Sequence, residues 1–282
     1  MPAVRRALGC LATVLLLTAC GGSVVVDAAP EAPPYDGPLH VEVTAAPDDE
    51  KADRSAAAGR VVDCDFPSTG YSEPGLYQSG PVSRSPPAAL KRELREYVTR
   101  GATSGLREAR RDGDRVLYTY EVDRRVRQAI IVHRGTSVEG TTGWYVESWA
   151  RCDWAELPAA LADGLGLEVW TDGSGRRVPT DRIVSSRGPE HCDWQRMRFL
   201  DIDGGDLEDG QTYVEHPDAD LYPDYVRVPY APSSRLPSDA RDTHYERQGQ
   251  HLWIAPDRSR AFVGTPGSVA VWPRTVQRLG CA

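Results

Sequence analysis

The chain has 282 residues, with 33 basic and 41 acidic side chains and a formal charge of −8. Loss of Arg5 and Arg6 with a cleaved leader would leave 31 against 41, or −10. That balance opposes general nucleic-acid binding and electrostatic adhesion to anionic lipid, both of which need clustered positive charge. Abundant Gly and Pro, 26 and 22 residues, favour short strands joined by turns over long helices.

Arg5 and Arg6 precede an uncharged, almost wholly apolar stretch at 7–17, then Leu17-Thr18-Ala19-Cys20 followed by two glycines. This is the three-part layout of a secretory signal. The apolar run falls short of the ~20 residues that a membrane helix requires. The small residues before Cys20 resemble a bacterial lipobox. That resemblance implies a signal at 1–19, cut before Cys20, and a lipidated thiol carrying acyl chains such as palmitate. An ordinary secretory signal with a chance cysteine is the alternative. Each buried methylene adds roughly 0.8 kcal/mol of membrane affinity, so acylation would supply an anchor that the rest of the chain lacks. The expected location is the extracytoplasmic face of a cell membrane, with lipid as partner through Cys20.

Residues 20–57 are rich in Ala, Pro, Asp and Glu and read as a tether, with one short strand at 39–43 as the alternative. The rest divides into a first α+β domain at 58–162 and a β-rich second domain at 163–282. In the first, Ser85-Pro86 opens a helix whose apolar side carries Leu90, Leu94, Tyr97 and Val98, ending near Gly101. Strands are expected at 115–122, 129–133 and 144–149. Asp153-Trp154-Ala155-Glu156 has the form of a capping box opening a short helix. In the second, strands are expected at 167–170, 197–200, 213–214, 225–230, 251–255, 260–264 and 268–272, with extended chain at 177–183. Asp201-Ile202-Asp203 superficially resembles a calcium loop, but Asp206 stands where the turn glycine should be, which favours a solvent-facing hairpin.

Cys64, Cys152, Cys192 and Cys281 remain after processing, and an extracytoplasmic site permits disulfides. Three pairings are open. Cys64 and Cys152 are 88 residues apart and Cys192 and Cys281 are 89 apart, which favours one bridge per half. Distant duplication of one unit, or coincidence, would explain the nearly equal spacing. No cysteine has a close Cys-x-x-Cys partner, which counts against zinc and thioredoxin-like chemistry. The fold class is therefore α+β: two small, mainly antiparallel-sheet domains, each closed by a disulfide.

The residues point to no catalytic set, cofactor or metal. There is no Gly-x-Ser-x-Gly elbow, phosphate loop or His-Glu-x-x-His helix. His191 and Asp193 flank Cys192 in the distinctive segment 188–195 and are the weak site candidates. His133 ends an apolar run and reads as a satisfied edge residue, and the tryptophans read as core anchors. Residues 149–153, 170–172 with 177–179, 188–195 and the Trp253 to Trp272 region resemble actinobacterial lipoproteins and secreted proteins of uncharacterised activity. The resemblance covers most of 85–281 and implies location and architecture rather than mechanism. The expected function is non-catalytic binding or structural work at the envelope, toward a protein, glycan or small ligand. The alternative is a secreted carboxylate-dependent hydrolase acting on an envelope glycan, which needs two facing acids.

Overall fold

The computed structural model describes residues 33–42, 55–72, 82–96, 105–137, 140–188, 194–203, 210–217 and 223–277. Alternating apolar residues within 105–151 build the first of three antiparallel sheets. Its strands are β1 (Thr69–Ser72), β2 (Arg107–Asp112), β3 (Arg115–Val122), β4 (Arg125–Thr136) and β5 (Thr142–Arg151), in the order β1-β5-β4-β3-β2. Asp123 and Arg124 join β3 to β4, both at positive φ, 51° and 63°. That is the mirror-image two-residue turn whose twist suits a hairpin.

The sheet is covered on both faces, which explains the unbroken apolar run at 129–132. Helix α1 (Ala56–Val61) packs on Leu117, Ala129, Ile131 and Ala150. Helix α2 (Pro86–Glu96) packs on Val116, Tyr118, Ile130 and Val132 through Ala89, Leu90 and Leu94. Tyr97, Val98 and Gly101 lie outside the described residues. Leu39, only 3% exposed, joins the α1 cluster, and Arg110 donates to the Gly37 carbonyl at 2.8 Å. Part of the proline-rich stretch thus lies against the folded body.

The capping box at 153–156 forms by half. Asp153 accepts from the Ala155 N–H at 2.7 Å, but the element it opens is one 3-10 turn, Trp154–Glu156. Glu156 turns away and accepts from the Asp65 and Phe66 N–H groups at 2.7 and 3.1 Å. Helix α3 (Ala159–Asp163) follows after Pro158.

The described residues of the second half form two sheets and no further helix. One is the meander β6 (Leu167–Val169), β7 (Ile183–Arg187), β8 (Arg198–Ile202) and β9 (Gln211–Glu215). The other holds β10 (Ala231–Ser234), β11 (Arg241–Arg247), β12 (Gln250–Ile254), β13 (Arg260–Thr265) and β14 (Ser268–Pro273), in the order β10-β14-β13-β12-β11. That order repeats the first sheet's, with the first strand added beside the last. The two sheets share a core of Trp170, Ile183, Leu200 and Tyr213 against Leu252, Ala261, Val263 and Trp272. A separate cluster links the halves: Tyr120, Val122, Trp154 and Leu157 meet Leu165, Leu167 and Val169.

Two expected segments differ. Residues 225–230 form no strand: Val226 makes only an isolated bridge to Thr275, and regular pairing starts at Ala231. Pro223 and Pro229, which lack an N–H, interrupt the ladder. Extended chain at 177–183 gives way to a turn in which Arg182 and Ile183 donate to the Pro179 carbonyl at 3.0 and 3.2 Å. Cys64 and Cys152 are joined as expected, tying the chain after α1 to the end of β5. Cys192 and Cys281 lie outside the described residues. Among the described residues, no helix is long and apolar enough to cross a membrane.

Candidate functional site: an arginine-lined groove

Pairing of β7, β8 and β9 sets the chemistry at one end of the second sheet. Arg187 lies opposite Arg198, and Arg198 opposite Glu215. Because side chains two residues apart share a face, these three extend the row that begins with Ser185, Leu200 and Tyr213 in the core. The apolar sandwich therefore ends in charge.

Two adjoining cavities open there. The larger, about 350 Å3, is lined by Arg187, Gln195, Arg196, Arg198, Glu215 and His216. The smaller, about 190 Å3, shares Arg187 and Arg198 and adds Asp163, Glu168 and Gln248 among its walls. Gln248 comes from the β11–β12 turn, where it and Gly249 both have positive φ.

Glu168, a wall residue of the smaller cavity, is neutralised by a buried arginine. The Arg247 side chain is 4% exposed, forms an ion pair with Glu168, lies 5.2 Å over the Trp170 ring and donates to Gln250 Oε1 at 3.0 Å. Burial draws the Arg247 pKa down to about 10, which leaves it charged at neutral pH. The mouth is not neutralised. Arg198 contacts Glu168 and Glu215 only at 3.5 and 3.6 Å, beyond good hydrogen-bond length. Arg187 and Arg196 have no acidic partner among the described residues. Like charges placed directly across an antiparallel pair are destabilising, and Arg187 facing Arg198 is such a pair. At the far wall, the His216 ring lies 4.4 Å from that of Tyr230, with Nε2 3.0 Å from the Tyr230 hydroxyl. Burial, with Glu215 nearby, pushes the Tyr230 pKa up and keeps its proton in place.

The other charged clusters are closed. Around the disulfide, Arg127 forms an ion pair with Glu156, and their side chains are only 9% and 3% exposed. Arg125 spans Asp63 and Asp65 with four contacts of 2.7–2.8 Å. Cys64, Cys152 and Glu156 place potential metal donors within 4.8 Å of one another. Both sulfurs are in the disulfide, however, and the Glu156 oxygens already accept from Asp65, Phe66 and Arg127. On the first sheet, Glu147 takes Arg115 Nε at 2.7 Å and His40 Nδ1 at 2.6 Å. His133 bridges Tyr145 at 2.9 Å and Asp114 at 3.0 Å, using both ring nitrogens. A histidine so engaged at both ends is satisfied, as expected, but it stands on β4, the central strand of the sheet, and not at an edge.

His191, Asp193, Cys192, Cys281 and the lipidation candidate Cys20 all lie outside the described residues. The distinctive segment nevertheless has its two feet at the groove: Arg187 before it, Gln195 and Arg196 at its end. Gly188 donates to the Met197 carbonyl at 3.0 Å, and a Cβ there would stand 2.2 Å from the Trp194 carbonyl oxygen. Only glycine permits that approach. Asp201 is no free calcium ligand, since it accepts from Thr212 Oγ1 at 2.6 Å. Residues 204–209 lie outside the described set. The tryptophans pack as core anchors or partly buried cover, and the described large apolar side chains left exposed are Tyr71 and Val276. Among the described residues, no Trp, Tyr or Phe lines either cavity.

Comparison with protein-family models, curated proteins and solved structures finds no match.

Proposed function

We propose that this chain is a non-catalytic binding protein of the cell envelope, held to the membrane by lipid on Cys20, whose groove takes an anionic ligand. The observation that carries the ligand's charge is the pair Arg187 and Arg196, at the wall of a cavity and without an acidic partner among the described residues. Local positive charge on an acidic protein draws an anion to one place while the remaining surface repels it. The anchor rests on the lipobox-like Leu17-Thr18-Ala19-Cys20, and the resemblance to actinobacterial lipoproteins agrees with it.

A hydrolase needs two acids facing across a gap that admits water or sugar. Glu168 and Glu215 both border the groove, but the guanidinium of Arg198 stands between them, and Glu168 is also tied to Arg247. That arrangement favours binding over hydrolysis.

The full-length chain, exported from a bacterial host and purified in detergent, tests this reading. Immobilised small anions should retain it, and retention should fall in Arg187→Gln/Arg196→Gln and with added salt. Retention by neutral glycans alone, unchanged in that variant, would oppose it. So would glycan turnover abolished by Glu168→Gln. Mass spectrometry of the same material should find a diacylglyceryl-modified Cys20. A mature N-terminus at another residue, without lipid, removes the anchor.

The second bridge, Cys192–Cys281, belongs to this proposal, as do the division at 162/163 and a distant duplication. The shared strand order of the first and third sheets supports common descent of those two sheets. Non-reducing peptide mapping should recover 192–281, and a 152–192 bridge would refute it.

A further inference from the structure

The groove's charges specify the anion more closely. We infer that it takes a phosphate monoester group, either free or carried on a small hydrophilic body, an inference that rests on the anion-binding reading above. Among the described residues that line the larger cavity, three guanidiniums, from Arg187, Arg196 and Arg198, stand against one carboxylate, Glu215. The excess of two positive charges exceeds what a monocarboxylate neutralises. A phosphate monoester carries about −1.5 to −2 at neutral pH and offers three strong acceptor oxygens. Each oxygen can take N–H groups from a different arginine, and the planar fork of guanidinium suits such tetrahedral anions.

Register supports the same ligand. Arg187 and Arg198 are directly opposed across β7 and β8, so an anion lodged between them relieves a repulsion built into the sheet. Arg198 is positioned rather than consumed by its acids, because both contacts are long, at 3.5 and 3.6 Å. Its N–H groups remain available to turn toward a closer acceptor. The described walls are polar, with Gln195 and His216 beside the arginines and no Trp, Tyr or Phe among them. A volume of about 350 Å3 admits the phosphate together with a body of roughly monosaccharide size, but not a long apolar chain.

The test is calorimetric titration of the full-length chain in detergent, at one fixed salt concentration, with inorganic phosphate, glucose 6-phosphate and glucuronate. Both phosphates should bind, and glucuronate should bind at least ~10-fold more weakly. Tighter binding of glucose 6-phosphate assigns the site to a phosphorylated sugar. Equal binding of the two assigns it to the phosphate group alone. Arg187→Gln should lower phosphate affinity about 10- to 100-fold. Arg187→Lys, which keeps the charge and loses the fork, should fall between. Phosphate should raise the melting temperature of the wild type and not that of Arg187→Gln, whose own melting temperature reports its folding. Glucuronate binding as tightly as glucose 6-phosphate overturns the phosphate inference and leaves the anion groove standing. Binding of none of the three, with no change in Arg187→Gln, overturns both.

Discussion

Around Arg125 and Arg127, each guanidinium has its carboxylates in place, whereas at the mouth of the groove Arg187 and Arg196 have none among the described residues. The first cluster joins the disulfide region to β4: Asp63, Asp65 and Glu156 converge on two arginines, and the Glu156 oxygens also accept two backbone N–H groups. Nothing is left over for a ligand. The second cluster sits where a sheet runs out of core, and its charges are only partly spent. Arginine count alone would not separate the two. The difference lies in whether nearby carboxylates cancel the charge, and that separates a fastening from a site.

The comparison breaks most sharply at Glu156. Glu156→Ala should cost about 3–5 kcal/mol of stability, because it leaves Arg127 buried without its closest counter-charge. Urea unfolding measures this, and a loss below 1 kcal/mol would mean that Asp65 alone suffices. Next comes the covalent part of the same fastening. Cys64→Ser with Cys152→Ser opens a loop of 88 residues and should cost about 2–5 kcal/mol. No comparable stability loss is expected from substitutions at the groove's mouth.

Much of the first sheet was legible in the sequence, because β3 carries apolar alternation, β4 a short unbroken apolar run, β5 apolar and aromatic residues, and the turn at 123–124 is short. The Cys64–Cys152 bridge was legible from spacing. Strands β2 and β11 were not. Both are edge strands whose side chains are largely charged, and such charges protect an edge from pairing with other chains while hiding it from a search for apolar pattern. The groove was hidden for another reason. Arg187 and Arg198 are neighbours only through the β7–β8 register, and Glu215 enters from a third strand. Segment 188–195 stands out in the sequence for its imidazole and thiol, and nothing in the local pattern singles out the arginines at its feet. The cluster of Arg176, Arg177, Arg182, Arg187, Arg196 and Arg198 in an acidic chain was the available signal.

A smaller effect tests whether unpartnered polarity always marks function. Gln128 is fully buried on β4, and neither end of its amide has a partner among the described residues. It lies opposite Arg151, whose guanidinium stacks 3.7 Å from the Trp154 ring and whose pKa burial lowers to about 10. Gln128→Leu should stabilise the protein by about 1 kcal/mol, since it removes an unmet amide without opening a cavity. A loss instead would show that the amide dipole solvates Arg151. Arg187→Gln should change stability by no more than about 0.5 kcal/mol, and upward, as it lifts the repulsion with Arg198. A clear loss of stability there would move Arg187 from the open class to the closed one.

Acid separates the two regions without mutation. Hydrogen bonds from Arg125, then its charge, hold Asp63 below the ordinary value of 3.8, and Asp65 is lowered by Arg125 first and Arg127 after it. Both groups therefore bind protons less readily folded than unfolded. Their contribution is complete above pH 3.8 and is lost as pH falls through the lower folded values. Stability should decline in that acid window, and Arg125→Gln should flatten the decline by removing the main cause of both shifts. Both acids are solvent-facing, so the effect should be modest and shrink further in high salt. An acid profile unchanged in Arg125→Gln would mean that these pairs, although geometrically closed, fasten nothing, and the distinction between the clusters would then rest on Glu156 and the disulfide alone.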